Sequence, residues 1–390
     1  MYLFAIVFAV TATLPVVLSW GAAGHEMVAT IAQIHLYPST KEKLCQILPE
    51  EAKCHLAPVA AWADRVRNKY RGTAPMHYIN AKKDHPHDHC EFGEDGWMNE
   101  DVNVVTAIQN FTQTIMDGKG GRDVDIALRF LVHLIGDLHQ PLHLTGRDKG
   151  GNKGKFFCLL SNEWRSLHSV WDSGIITKNI RELSNYTSPL PSKQIESALP
   201  GSIFDPYVRW IVWEGVRLWW KDDISTWLSC PDDGDPFPHS SQMPIPPSAS
   251  LILKKYLRSA SSFALSLLPS QLSTVAELSF ALPLKETEGL ENQALVLTPQ
   301  KLSANGAKME FPTCPYAWAT FIHQLNCDII WPASYTGNAG EALIELDTAE
   351  YLGEIGKQKI VEKMLAMAGL RLAKVLNHVL AGEDALYFGY

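Results

Sequence analysis

The chain has 390 residues, 46% of them hydrophobic and 19% charged, and it carries 12 tryptophans. This is the composition of a globular protein with chain enough for one large domain or two. The formal net charge of −8 argues against a long-range, salt-dependent grip on a nucleic-acid backbone by a basic groove; a polyanion would have to be held locally, by bound dications.

Residues 1–19 are apolar and hold no charged side chain. The run is short for a membrane span and ends Val17-Leu18-Ser19, so it reads as a secretory signal peptide cleaved after Ser19. An uncleaved anchor is the competing reading, because the first residues lack Lys and Arg. Cleavage makes Trp20 the mature N-terminus.

From Trp20 onward most patterns are helical. His25 to Leu36 has apolar residues at Val28, Ile31, Ala32 and Ile34. Pro38-Ser39-Thr40 breaks it, and Ser39 or Thr40 caps the next helix. Pro58 to Val66 is a further helical run holding Ala61-Trp62-Ala63-Asp64, with Arg67 on the same side as Asp64. Met76 to Asn80 is β-branched or aromatic and reads as extended. Asp84-His85-Pro86-His87-Asp88-His89 is polar, contains a proline, and reads as a solvated surface loop, not a metal site. Val102 to Met116 is a helix, and Gly118 to Gly121 a turn.

The chain is organised around His133-Leu-Ile-Gly-Asp137-Leu-His-Gln-Pro-Leu-His143. His133 and Asp137 are four apart and share one helix face. The preceding run, Ile126 to Val132, is apolar enough to be buried. Pro141 ends the helix near Gln140, which frees His143 to face elsewhere. A second pair at the same spacing follows, His168 and Asp172. A buried carboxylate needs a cation or several donors, and no Lys or Arg lies between Phe130 and Leu144. A lone buried His is usually a core residue, but two His-xxx-Asp pairs with a third His between them suit an N/O-ligand metal site.

Lys149-Gly150-Gly151-Asn152 is a glycine turn leading to a short hairpin, Lys155–Leu160, closed through Ser161-Asn162. Pro206–Trp227 is tryptophan-rich and reads as a helical core stripe. Pro231–Ser250 is rich in Pro, Asp and Ser, Leu251–Leu268 suits a helix, and 231–313 as a whole reads as a loop-rich insertion. Thr348 to Leu380 is a long amphipathic helix with Ile360, Met364, Met367, Leu370 and Leu372 inward. The fold class is mainly α, a helical body with a short β-hairpin.

A secreted chain should pair most of its seven cysteines. Cys45 and Cys54 are close enough for a local loop, Cys230 and Cys314 flank the insertion, and Cys90 and Cys327 can link distant parts. Cys158, in an apolar run, is the choice for a free thiol. Sequons at Asn110 and Asn185 agree with secretion and N-glycosylation.

Taken together, these patterns resemble the zinc-dependent class I nucleases of the S-one/P-one type. The matching stretches are Trp20-Gly-x-x-Gly-His25, Trp62-Ala-Asp64, His77-Tyr-Ile-Asn80, the His133–His143 block, Asp148-Lys-Gly-Gly-Asn152 and Leu167-His168-Ser-Val-Trp-Asp172. The resemblance covers the N-terminal half closely and resumes at Cys314-Pro-Tyr-Ala-Trp-Ala319 and Ala368-Gly-Leu-Arg-Leu372.

The resemblance implies a single helical domain over 20–390, of the zinc phospholipase C and class I nuclease type, and a site for three zinc ions. One would take Asp64, His77, His133 and Asp137. A second would take the Trp20 amine and carbonyl, His25 and the bridging Asp137. The third would take His143, His168 and Asp172. Cys90–Cys327 matches a disulfide position of that family. Arg67 would grip the phosphate, or form a structural salt bridge. Asn152 would donate to a phosphoryl oxygen, or simply close its turn. The family often has Phe and Asp where this chain has Tyr78 and Asn80. Tyr78 still stacks on a base, while Asn80 can donate as well as accept, which predicts a changed base preference.

The expected activity is secreted, zinc-dependent endonuclease cleavage of single-stranded DNA and RNA to 5′-phosphorylated products by metal-activated water, with action on 3′-nucleotides. A monomer is expected, without stable membrane association after signal cleavage. The competing readings are a zinc phospholipase C-like phosphodiesterase and a catalytically inactive secreted zinc-binding protein.

Overall fold

The computed structural model describes residues 20–67, 70–118, 121–158, 163–187, 192–237, 311–337 and 344–389. The signal segment, the expected helix Leu251–Leu268 and most of the 231–313 insertion lie outside the described residues.

Helix α1 (Ala22–Ile34) carries His25 near its start. Helix α2 (Pro38–Ile47) begins with proline in its first turn, where a missing N–H costs nothing. Neither Ser39 nor Thr40 caps it, contrary to the sequence expectation. The Thr40 hydroxyl instead donates to Asn377 Oδ1 at 2.8 Å, tying α2 to the C-terminal helix.

The single helix expected over Pro58–Val66 is two, α3 (Ala57–Ala60) and α4 (Trp62–Arg67), broken at Ala61. The break serves the site, because it frees the Ala60 carbonyl to accept from His133 Nδ1 at 2.7 Å. Tyr78 is extended as expected, but the 3-10 turn before it, Arg71–His77, absorbs Met76 and His77.

Helix α5 (Val104–Asp117) starts at a reciprocal cap. The Asn103 side chain accepts from Thr106 N at 3.0 Å, and Thr106 Oγ1 accepts from Asn103 N at 3.2 Å. It packs along α6 (Arg122–Leu138), where Phe111 and Phe130 stack with centroids 4.7 Å apart. From Val124 to Leu138 every side chain of α6 is buried. Its one buried guanidinium, Arg129, is spent on Asp125 through bonds of 2.7 and 3.0 Å, so Asp137 has no cation from its own helix.

The C-terminal segment is not one helix. Lys359, at φ 53°, separates Ala349–Gly353 and Glu354–Lys357 from the long helix Ile360–Ala381. Ile360, Met364, Met367, Leu370 and Leu372 are buried. This helix is long and apolar enough to cross a membrane, yet it runs through the core against α1 and α6. Gly369 permits that approach: a Cβ there would lie 2.5 Å from Ile31 Cγ2.

The tryptophan stripe is only partly core. Trp220 and Trp227 are buried, Trp210 and Trp213 half-buried, and Trp219 is 41% exposed with Lys359 Nζ 4.9 Å from its ring. Ile211–Trp219 winds as a π-helix, so the α-helical spacing that would align these rings inward does not hold.

Strand β1 (Phe156–Cys158) pairs antiparallel with β2 (Glu163–Arg165), as the hairpin expectation required. It also pairs parallel with β3 (Ile344–Glu345), giving the order β2-β1-β3. Helices dominate the described residues, and the class is mainly α. Disulfides join Cys45 to Cys54, Cys90 to Cys327 and Cys230 to Cys314.

Candidate metal centre

Three groups of His and Asp side chains converge, each with ligand atoms within 4.8 Å of one another: His25, His133 and Asp137; Asp64, His77 and His133; His143, His168 and Asp172. All are buried. Their carriers are α1, α4, the turn ending at His77, α6, the 3-10 turn Pro141–Leu144, and the helical segment running from Leu167 through Gly174.

Asp137 is the hub. Its Oδ2 lies 2.9 Å from His77 Nδ1 and 3.3 Å from His133 Nε2. Its Oδ1 lies 3.3 Å from His25 Nε2 and 3.9 Å from His143 Nδ1. Asp64 Oδ1 closes the second group, 3.6 Å from His133 Nε2 and 3.7 Å from His77 Nδ1. In the third group His168 Nε2 is 3.1 Å from Asp172 Oδ2.

The tautomers follow from the backbone. His133 Nδ1 donates to Ala60 O at 2.7 Å, His143 Nδ1 to His77 O at 2.5 Å, and His168 Nδ1 to Gly150 O at 2.6 Å. Each neutral ring therefore presents a lone pair at Nε2. At His133 that nitrogen faces two carboxylate oxygens, an arrangement that needs a cation between them: a metal ion or, in the metal-free chain, a proton. His133 Nε2, His143 Nε2, Asp64 Oδ1 and Asp137 Oδ1 have no hydrogen-bond partner among the described residues. Buried, convergent and unsatisfied, this donor set fits divalent metal ions with N/O preference.

The electrostatics agree. Burial lowers the His133 pKa, but Asp137 and Asp64 outweigh it and raise it to about 9 in the metal-free chain. Burial pushes the Asp137 carboxyl up, and the surrounding His133, His25 and His77 hold it well below the usual carboxylate range. Burial drives His143 down to about 3.

His25 reaches the cluster because of a glycine. Its ring stacks on His133 with centroids 3.7 Å apart, over Gly136 of α6. A Cβ at Gly136 would lie 2.7 Å from His25 Nδ1. Trp20 is fully buried, and Gly21 N donates to Asp172 O at 2.9 Å, so the start of the described chain lies against the third group.

Arg67 is half-buried one turn beyond Asp64. Burial raises the Tyr78 phenol and the nearby Arg67 charge opposes it. Tyr78 is 36% exposed. The Asn80 amide fits with Nδ2 donating to the carbonyls of Thr145 and Ile79, 3.1 Å each. Its donor capacity is thus committed, and it offers an acceptor. Asn152 is half-exposed and its Nδ2 donates to Lys149 O at 2.8 Å, the turn-closing bond. Asn185 is exposed, while Asn110 is half-buried in α5.

The histidine-rich loop is only partly solvated. His85, His87 and His89 are exposed, but Asp84 is buried. It accepts from Thr145 Oγ1 at 2.7 Å and from His323 Nε2 at 3.0 Å. Nothing in the local sequence flagged His323, which is 239 residues away.

A helical body that gathers buried His and Asp residues into three adjoining clusters is the framework of a metal-assisted hydrolase. The family model for S1/P1 Nuclease matches residues 20–232, a span that includes every member of the three clusters. The chain is similar to Endonuclease 2 of Arabidopsis thaliana, 31% identical over 227 residues, covering 55% of this chain and 70% of that protein. Endonuclease 4 of the same plant is 30% identical over 241 residues, 58% and 73% respectively. Nuclease S1 of Aspergillus oryzae is 38% identical over 159 residues, 40% of this chain and 54% of the fungal protein. The chain belongs to the S1/P1 nuclease family, and it is a hydrolase acting on the phosphodiester bonds of nucleic acids.

Proposed function

We propose that the chain is a secreted endonuclease, mature from Trp20, that uses three zinc ions to cut single-stranded DNA and RNA to 5′-phosphorylated products and also acts on 3′-nucleotides. The observation that carries it is the meeting of His133 Nε2 with oxygens of both Asp64 and Asp137 among buried side chains. One ion would be held by Asp64, His77, His133 and Asp137. A second would take the Trp20 amine and carbonyl, His25 and Asp137, and a third His143, His168 and Asp172. Zinc bound there supplies charge neutralisation and a water whose pKa falls to about 7.

The protein's own groups do the rest. Asp64 orients the attacking water and accepts its proton. Arg67 donates to the phosphate as a planar fork, and Tyr78 stacks on the adjacent base. Asn80 accepts from the base edge. Residues 20–390 form one catalytic domain, with 231–313 inserted between Cys230 and Cys314, whose disulfide clips its ends.

The test is hydrolysis of single-stranded DNA homopolymers, RNA and phosphatidylcholine by the secreted protein, before and after chelation. The expected result is cleavage of the polynucleotides alone, abolished by chelator and restored by zinc. Asn80→Asp, which puts an acceptor where Nδ2 donates to the Thr145 and Ile79 carbonyls, should change the ranking of homopolymers, and an unchanged ranking would count against a base contact through Asn80. Hydrolysis of phosphatidylcholine, or no phosphoesterase activity in the zinc-replete protein, would contradict the proposal.

A further inference from the structure

Gln140 is fully buried, and its amide is oriented by the backbone. Leu142 N donates to Gln140 Oε1 at 2.7 Å, so Nε2 is the end that donates to Asp172 Oδ1, at 2.6 Å. This leaves Asp172 Oδ2 facing His168 Nε2. The main chain of Asp172 is engaged as well, since its carbonyl accepts from Gly21 N at 2.9 Å. The contact is close: a Cβ at Gly21 would lie 2.4 Å from Ser173 Oγ and 3.3 Å from Asp172 O. One aspartate thus joins three parts of the chain: the turn after α6, the helix of the third cluster, and the segment at Trp20.

We propose that Gln140 is a positioning residue that fixes which oxygen of Asp172 serves as a metal ligand and so holds the third metal site. The inference rests on the three-metal reading of the site. Without the amide donor, the carboxylate is free to turn about its last side-chain bond, and a ligand that turns is a poor one. Outer partners of this kind are worth roughly 10- to 100-fold in metal affinity or activity.

The experiment counts metal in Gln140→Glu and Gln140→Met beside the wild-type enzyme, after dialysis against graded chelator, together with kcat and KM on single-stranded DNA. Gln140→Glu keeps the shape and the acceptor for Leu142 N and loses the donor once its carboxyl ionises; Gln140→Met loses both at every pH. The expected result is three zinc ions in the wild type. Each variant should lose one ion at about tenfold lower chelator and keep the other two. Its kcat should fall roughly 10- to 100-fold with KM little changed, and recover in excess zinc. Three ions released at wild-type chelator concentrations in both variants would overturn the positioning role, as would loss of all three together. Fewer than three ions in the wild type would instead overturn the three-metal reading itself.

Discussion

Asp137→Ala is expected to strip two of the three metal ions and lower kcat/KM by at least about 10³-fold, an estimate matching the loss of about 4 kcal/mol of transition-state stabilisation. The size follows from geometry. Asp137 presents one oxygen to His77 and His133 and the other to His25 and His143, so no second carboxylate can replace it at both groups. Asp64 reaches only the first. The check is metal content by mass spectrometry alongside single-strand hydrolysis. A variant that kept three ions, or lost less than about tenfold in rate, would show that Asp137 is a structural partner of the histidines and not their shared ligand.

Gly136→Ala is the second large effect, and it runs against helix propensity. In an ordinary helix interior the change stabilises by about 1 kcal/mol. Here the new methyl would meet His25 Nδ1 at 2.7 Å and Cε1 at 3.0 Å, and overpacking of this kind costs roughly 1–3 kcal/mol. The ring stacked on His133 must move, and misplacement by about 1 Å costs on the order of 10² in rate. The control is Gly356→Ala, where an added methyl meets nothing within 4 Å. The expected outcome is a zinc-depleted, roughly 100-fold slower Gly136→Ala enzyme and an unaffected Gly356→Ala enzyme. Equal activities would mean that His25 can be displaced without consequence.

The part of the site legible in the sequence was the part encoded by helical period. His133 with Asp137, and His168 with Asp172, are four apart, and that spacing alone puts each pair on one face. The same period misled wherever the backbone departs from α geometry. It ran α3 and α4 together across Ala61, though the break there supplies the carbonyl that orients His133. It placed Trp219 inside, because a π-wound stretch looks α-helical in composition. It missed the left-handed turn at Lys359, which carries no glycine to announce it.

Contacts between residues far apart in the chain were invisible for a different reason. Asp84 read as solvated because its neighbours are polar, but its burial depends on His323 and Thr145, which only the folded chain brings near. Gln140 sat in plain view between Asp137 and His143. A neutral side chain, however, signals a role only once its partner, Asp172, is known.

The most direct measurement is zinc per chain, taken together with the N-terminal residue of the secreted protein. Three zinc ions are expected on a chain that begins at Trp20. A fully active protein that retains Ser19, or that hydrolyses single-stranded DNA at full rate with no bound zinc, would contradict that expectation.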